Sequence, residues 1–303
     1  MKKEKIQVYE PAFCRIDIWL HRHFPEVSRS LITKLIREGK IKLNGEIITK
    51  ASKEVRPGDI LEICWPVEDI SHPPPQFLPL DVIYEDEDIL VVNKRAGLAV
   101  HPASSWGEGT LINALFYYQI PLPQYGFPLR PGIVHRLDKN TSGVMVIAKR
   151  DIAYLRLIEE FKARRVEKEY LALVEGKWQG EKTIDLPLGR STRNPCLMEV
   201  RKRGGKAAYT EIEVVGRGKE FSLLLVKPKT GRTHQIRVHL ASQGYPIVGD
   251  TVYGSKKGKE LFSRQALHAF TLSFNHPSSG EWVSFAASLP QDLRKFINDF
   301  IKM

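Results

Sequence analysis

The strongest constraint on what this chain can fold into lies in residues 131–149, Pro131-Gly-Ile-Val-His-Arg-Leu-Asp138-Lys-Asn-Thr-Ser-Gly143-Val-Met-Val-Ile-Ala-Lys149. Val144, Met145, Val146, Ile147 and Ala148 form an unbroken apolar run of strand length, which predicts a buried strand. Thr141-Ser142-Gly143 supplies the turn chemistry that starts it. Asp138 is thereby displayed beside a tight turn and held against a rigid sheet. Arg136 and Lys139 flank it, and nearby cations favour the ionised form of a carboxylate. The arrangement suits an anionic nucleophile or base that works among anionic substrates.

Alone, an Arg-x-Asp is most often a surface ion pair or a turn cap. The whole block His135-Arg-Leu-Asp138-Lys-Asn-Thr-Ser-Gly143 is more specific. It resembles the catalytic-aspartate motif of the RluA/RluD class of RNA pseudouridine synthases.

Charge agrees with such a partner. The 303 residues carry a net charge of +11, and Lys and Arg gain by releasing counterions from phosphates. A chain this long can bury a sizeable core and implies two domains. Cys14, Cys64 and Cys196 are odd in number and far apart, which suggests neither a disulfide framework nor a zinc ribbon and fits a reducing cytoplasm. No signal-peptide pattern or membrane-length apolar segment is present, so a cytoplasmic protein with no membrane partner is expected.

The N-terminal part reads as a compact basic module over 14–66. Ile16, Trp19, Leu20 and Phe24 recur at helical spacing. Ser28 is placed to cap a second helix with Leu31, Ile32, Leu35 and Ile36 on one stripe and Gly39 at its end. Strands over Ile41–Leu43, Ile47–Ile48 and Ile60–Ile63 follow, the first two joined by Asn44-Gly45, a strong hairpin signal. Arg29, Lys34, Arg37, Lys40 and Lys42 can share the opposite surface. One such face alone would read as merely solvated. Residues 28–45 resemble, however, the alpha-L RNA-binding domain of ribosomal protein S-four type, and that resemblance implies docking on structured RNA, largely through phosphates.

Prolines 73, 74, 75 and 79, with Pro66 just before them, stiffen a linker over 67–79. Beyond it, residues 80–303 form the larger domain. Asp81–Tyr84 and Ile89–Val92 predict a hairpin whose tip, Glu85-Asp-Glu-Asp88, reads as a solvated acidic turn rather than a metal site. Where the family usually has Lys-Pro-Ala-Gly, this chain has Lys94-Arg-Ala-Gly97, a turn without the proline ring. Thr110 is placed to cap a helix over Leu111–Tyr118, and Asp151 one with Leu155, Ile158 and Phe161 inward. Strand alternation over 166–174 puts Val166, Lys168, Tyr170, Ala172 and Val174 on one face. From pattern alone Tyr170 is a core aromatic. Lys168-Glu-Tyr170 also resembles the family's second motif, whose tyrosine stacks on the target base. The basic run from Arg190 to Lys206 reads equally as a solvated loop or a phosphate-tracking arm.

In Lys229-Thr-Gly-Arg232-Thr-His234-Gln-Ile-Arg237-Val-His239, Thr233 can cap a helix with Ile236 and Leu240 inward. His234 and His239 lie about 140° apart on it, poorly placed to share a metal. This segment resembles the family's third motif, and Arg237 then pairs with the catalytic aspartate. Gly249-Asp250-x-x-Tyr253-Gly254 and Leu267-His-Ala269 extend the likeness, which runs from Arg15 to near the end of the chain.

The resemblance implies an α+β catalytic domain with a mixed, mainly antiparallel sheet. It also implies isomerisation of specific uridines in RNA, most commonly large-subunit ribosomal RNA. Asp138, Tyr170 and Arg237 would be catalytic, Arg136 would fill the gap left by a flipped base, and Lys168 and Arg232 would contact RNA. Whether Asp138 attacks as a nucleophile or acts as a base at ribose carbon 2 is open. The isomerisation is redox-neutral and implies no cofactor, and a monomer is expected. A non-catalytic RNA-binding assembly factor explains the charge but not the aspartate, tyrosine and arginine together, while a synthase acting on transfer RNA shares all these features. A hydrolase is disfavoured by the lack of a phosphate-binding Gly-rich loop, a His-Glu-x-x-His pair or a Gly-x-Ser-x-Gly elbow.

Overall fold

The computed structural model describes residues 2–8, 14–24, 29–65, 73–101, 108–123, 130–194 and 197–300. They form two compact units, one within Met1–His72 and one beginning at Pro73. Ser28, residues 66–72 and Cys196 lie outside the described residues, as does the side chain of Leu31.

The first unit runs β1 (Lys2–Gln7), β2 (Cys14–Arg15), α1 (Ile16–His23), α2 (Arg29–Arg37), β3 (Ile41–Leu43), β4 (Glu46–Ile47), β5 (Glu54–Val55) and β6 (Ile60–Trp65). A four-stranded sheet in the order β1-β6-β3-β4 backs the two helices, and β2 pairs with β5. Asn44 and Gly45 both take positive φ, 52° and 86°, which the tight turn between β3 and β4 requires. Ile16, Trp19, Leu20, Ile32, Leu35, Ile36, Ile41, Leu61 and Ile63 make one buried cluster. The sequence pattern did not reveal β1, which pairs with β6 over all six of its residues.

The second unit contains β7 (Val82–Glu85), β8 (Ile89–Lys94), α3 (Leu111–Tyr117), β9 (Ser142–Ala148), α4 (Asp151–Lys162), β10 (Glu167–Glu175), β11 (Thr183–Asp185), β12 (Leu188–Arg190) and β13 (Met198–Val200). It continues with β14 (Tyr209–Arg217), β15 (Phe221–Pro228), α5 (Gln235–Ser242), α6 (Lys256–Leu261), β16 (Leu267–Asn275), β17 (Trp282–Ala286) and α7 (Gln291–Phe300). One nine-stranded sheet has the order β11-β14-β15-β10-β16-β9-β8-β7, with β17 also on β16. Every pairing in it is antiparallel except β9 with β16. The separate pair β12-β13 is the hairpin that carries the basic run. No helix among the described residues is long and apolar enough to cross a membrane.

β9 is buried at all seven positions, as its unbroken apolar run requires. It belongs to a core built on β8, β9, α3 and α4, while β10, β14, β15, α5 and α7 enclose a second core; Tyr170 packs against both. The β9–β16 junction is close because Gly143 sits opposite Ala269. Gly143 has φ 122°, and a Cβ there would collide with the Ala269 backbone. In register, Tyr170 on β10, Ala269 on β16, Gly143 on β9 and Lys94 on β8 form one row across four strands.

Local details depart from the pattern. Thr110 caps α3 in a reciprocal capping box with Asn113, whereas α4 starts at Asp151 with Arg150 in the cap position and no side-chain cap bond. Ile158 and Phe161 pack against the core as expected, with Ala153 and Leu157 fully buried beside them, but Leu155 is exposed. Pro74 and Gln76 hydrogen-bond to Asn113 and Gly109 at the start of α3.

Candidate active site

The turn that carries Asp138 is fixed from both sides. The Thr141 amide donates to the Asp138 carbonyl, and the Gly97 amide to the Lys139 carbonyl, at 3.0 and 2.9 Å. Lys94 completes the support. Its side chain is 2% exposed, and Nζ donates to the carbonyls of Arg95, Leu98 and Lys139 at 3.0, 2.9 and 3.1 Å. Lys94 thus stitches the 94–97 turn to the Asp138 turn, with Arg95 in the place where the family usually has proline. Burial, with Arg264 adding repulsion, lowers Lys94 to about 7 against the favourable charge of Asp138.

Residues 134–138 are irregular rather than a strand, yet Arg136 and Asp138 both line a cleft of about 490 Å³. Val166, Lys168, Tyr170, Arg232, His234 and Arg237 share its wall, a volume ordinary for a small-ligand pocket. Arg237 projects from the first turn of α5, and its Nη1 donates to Asp138 Oδ2 at 2.9 Å. The other edge of the guanidinium forms a two-pronged pair with Asp250, Nε to Oδ2 at 2.7 Å and Nη2 to Oδ1 at 2.8 Å. Asp250 is wholly buried, and Oδ1 also accepts from the amides of Val252 and Tyr253. Burial opposes both charges, but each outweighs it for the other: Asp250 is held below and Arg237 above its ordinary range. The ring of Tyr253 lies against the guanidinium, 5.2 Å from centroid to Cζ. Asp250 thus fixes the arginine that fixes Asp138.

Tyr170 enters from β10 at a bulge between Glu169 and Tyr170. Burial and the Asp138 charge both push its hydroxyl up, so it stays protonated. Lys168, on the same wall, is lowered to about 8 by burial and by Arg164 and Lys229. Arg136 stands exposed at the cleft, and Arg232 is partly tied down, its Nε donating to the Ala207 carbonyl at 3.1 Å.

The histidines divide by role. His135 stacks on Phe161 and accepts the Val146 amide on Nε2 at 3.0 Å, and burial with the Lys168 charge lowers it to about 3. His239 faces Thr210 and the Leu186 carbonyl inside the core. His234, not Thr233, occupies the cap position of α5, in left-handed conformation and without a side-chain cap bond. Its Nε2 stands 3.8 Å from Asp138 Oδ2.

In the N-terminal unit the five basic residues are not equivalent. Arg29 is bonded at 2.6 Å to the buried carboxylate of Asp17, which also takes Arg15. Lys34 lies 3.8 Å from Glu38. Arg37 and Lys42 are exposed and Lys40 half-buried. The acidic tip at 85–88 is not merely solvated. Asp86 accepts from the amides of Asp88 and Ile89, from Tyr84 and from His276, whereas Asp88, among the described residues, takes Ser278 on Oδ2 alone and leaves Oδ1 buried without a hydrogen bond, 3.6 Å from Arg150.

Lys94 and the role of Asp250 were missed from sequence. Lysine is rarely buried, and the only signal for Asp250 was its place in the motif Gly249-Asp250-x-x-Tyr253-Gly254.

Comparison with known proteins agrees with this geometry. Residues 88–242 match the model of the RNA pseudouridylate synthase family, and residues 14–61 match the S4 domain. An uncharacterized RNA pseudouridine synthase of Aquifex aeolicus is 43% identical over 92% of this chain and 92% of its own length. The ribosomal large subunit pseudouridine synthase D of Vibrio cholerae is 40% identical over 92% and 89%. The solved structure of human RNA pseudouridylate synthase domain containing 1 is 31% identical, covering 75% of this chain and 96% of its own, with a TM-score of 0.57. The chain belongs to the RNA pseudouridine synthase family and couples its synthase domain to an N-terminal S4 domain.

Proposed function

We propose that this synthase isomerises uridines of large-subunit ribosomal RNA in the cytoplasm, as a monomer, with Asp138 as the catalytic carboxylate. The S4 domain over 14–66 would hold structured RNA, and the domain from residue 80 would carry out the chemistry. The observation that carries the reading is the chain Asp138–Arg237–Asp250 opening into a cleft that Tyr170 also lines. The ribosomal assignment rests on the relatives named synthase D.

The reaction breaks the glycosidic bond, turns the detached uracil and rejoins it through carbon 5. The target uridine must leave the stack, at a cost of a few kcal/mol. Arg136, exposed at the cleft, is placed to fill the gap it leaves. Arg237 orients the Asp138 carboxylate and shares its charge, either for attack on the sugar or for removal of the proton at ribose carbon 2. Tyr170 offers a stacking face for the uracil. Because its hydroxyl stays protonated, it would serve the carbon 5 proton as a relay, passing its own proton onward as it takes one. Lys168 and Arg232 would contact RNA at the rim.

The test is tritium release from ribosomal RNA labelled at uridine carbon 5, comparing wild type with Asp138→Asn. Release by the wild type alone supports the reading. Release from transfer RNA but not ribosomal RNA would overturn the substrate. Failure of both proteins to react on either RNA, with binding intact, would leave an RNA-binding assembly factor.

A further inference from the structure

Among the polar groups of the cleft that have no part in the mechanism above, His234 stands nearest Asp138 in the ion-pair geometry, with Nε2 3.8 Å from Oδ2. His234 sits at φ 54°, ψ 21°, a left-handed conformation that non-glycine residues enter at a cost. Strain of this kind persists where the surroundings over-determine it, and it gathers at functional sites. His234 is tied at both ends, its carbonyl accepting the Val238 amide at 2.9 Å and its Nδ1 lying 2.9 Å from the Tyr253 hydroxyl.

The hydrogen bonds favour one tautomer. The Met198 amide donates to the Tyr253 oxygen at 3.0 Å. Among the described residues His234 Nδ1 is the acceptor within reach of the phenol proton, which favours Nδ1 as the accepting nitrogen. Burial, together with Arg237 and Arg136, disfavours the imidazolium although Asp138 and Asp250 favour it, and the ring is held toward its neutral form. A neutral imidazole that accepts on Nδ1 carries its proton on Nε2. That N–H is aimed into the cleft. At 3.8 Å it makes no hydrogen bond to Asp138 Oδ2, which already accepts from Arg237.

We propose that His234 is a further catalytic residue, whose Nε2–H donates a hydrogen bond to a carbonyl oxygen of the uracil as the glycosidic bond breaks, with its tautomer favoured by Tyr253. The inference rests on the synthase reading. The detached uracil bears the electron pair of the broken bond, delocalised onto its carbonyl oxygens, and a fixed donor is most useful where such charge develops. No proton is transferred; the hydrogen bond strengthens as the charge grows. A neutral donor suits this place because Arg237 and Arg136 already supply positive charge. Met198 belongs to the β12–β13 hairpin that bears the basic run, so the Tyr253 contact is anchored on that arm.

The test is single-turnover tritium release, with full-length enzyme in excess over large-subunit ribosomal RNA transcribed with 5-tritiated uridine, alongside RNA binding and melting temperature. His234→Asn tolerates the left-handed backbone and can accept from Tyr253, but it places no N–H at the Nε2 position. Its rate is expected to fall about 100-fold, the loss typical of one such donor, with RNA affinity unchanged. His234→Gln, whose amide reaches the Nε2 position, is expected to recover part of the rate. Tyr253→Phe keeps the ring against Arg237 and frees the tautomer, so it is expected to slow the reaction several-fold; it also serves if His234→Asn fails to fold. Wild-type rates in both His234→Asn and Tyr253→Phe, or a loss in His234→Asn that follows RNA affinity rather than turnover, would overturn the assignment while leaving the synthase reading intact. An inactive wild type would instead overturn that reading, and this inference with it.

Discussion

Replacing Asp250 with Asn tests whether the pair behind Asp138 behaves as a unit. The carboxylate takes four donors: Arg237 Nη2, Val252 N and Tyr253 N on Oδ1, and Arg237 Nε on Oδ2. An amide has one acceptor oxygen. With that oxygen in the Oδ1 position, its NH₂ group opposes the Arg237 Nε–H; flipped, it opposes three donors. Arg237 is 5% and Asp250 0% exposed, so water cannot repair either arrangement. Breaking a buried pair from one side costs ~3–5 kcal/mol. For a domain of this size each kcal/mol moves the melting point by about 2–4 °C, giving a fall of roughly 6–20 °C. Turnover should fall at least tenfold because the guanidinium loses the partner that aims it at Asp138. The double variant Asp250→Asn/Arg237→Met removes both charges while the Asn oxygen still accepts the Val252 and Tyr253 amides, so it should regain part of the stability relative to the sum of the single variants, while staying inactive. Melting and tritium release on the same preparations decide it. A melting point within 1 °C of wild type for Asp250→Asn, or additive losses in the double variant, would refute the argument.

Two further outcomes follow from the same geometry. Gly143→Ala forces a Cβ into the Ala269 backbone at the parallel β9–β16 contact, so it is expected to cost more than ~3 kcal/mol in urea unfolding and to reduce soluble yield. His135, lowered to about 3 by burial and Lys168, binds a proton in the unfolded chain before the folded one. Stability should therefore be intact above about pH 6.5 and fall by about 1.4 kcal/mol per unit toward pH 3 from this group. His135→Gln keeps an acceptor for the Val146 amide and should remove about one proton from that slope.

Where local chemistry decides the structure, the sequence was legible. Asn44-Gly45 sets its hairpin because that turn demands two positive φ values, and the apolar run of β9 admits a buried strand. Both needed only nearby residues. β1 was missed because Lys2–Gln7 reads as charged; its place is set by pairing with β6, far along the chain. Helical spacing alone puts Leu155 inward, whereas the face of α4 on the core is Ala153, Leu157, Ile158 and Phe161. The site divides in the same way. Asp138, Tyr170 and Arg237 stand out through motif likeness, and the strand register brings Tyr170 level with the start of β9, the strand that follows the Asp138 turn, since Tyr170, Ala269 and Gly143 form one row. Lys94 ends that row, but its burial runs against the ordinary preference of lysine and could not be read from spacing.

Lys94 yields a prediction that separates its two effects. Its folded value near 7, against an ordinary 10.5, means that the unfolded chain holds more protons between those limits, so stability rises with pH across that window. Burying this group at pH 7 costs on the order of 4 kcal/mol by the same linkage. Against this stand three carbonyls, each worth ~1–3 kcal/mol if left without a donor. Lys94→Met loses both terms. Its stability at pH 7 should lie close to wild type or somewhat below, while turnover falls because the Asp138 turn loses its tie to 94–98. Between pH 7 and 8 the wild type should gain about 1 kcal/mol from this group. Lys168, at about 8, adds its main contribution above that interval, and the lowered histidines add theirs below it. Urea unfolding at pH 7 and 8 should therefore show the gain in wild type and not in Lys94→Met. Equal slopes for the two proteins would mean that Lys94 is not the titrating group and that the cradle holds a permanent charge.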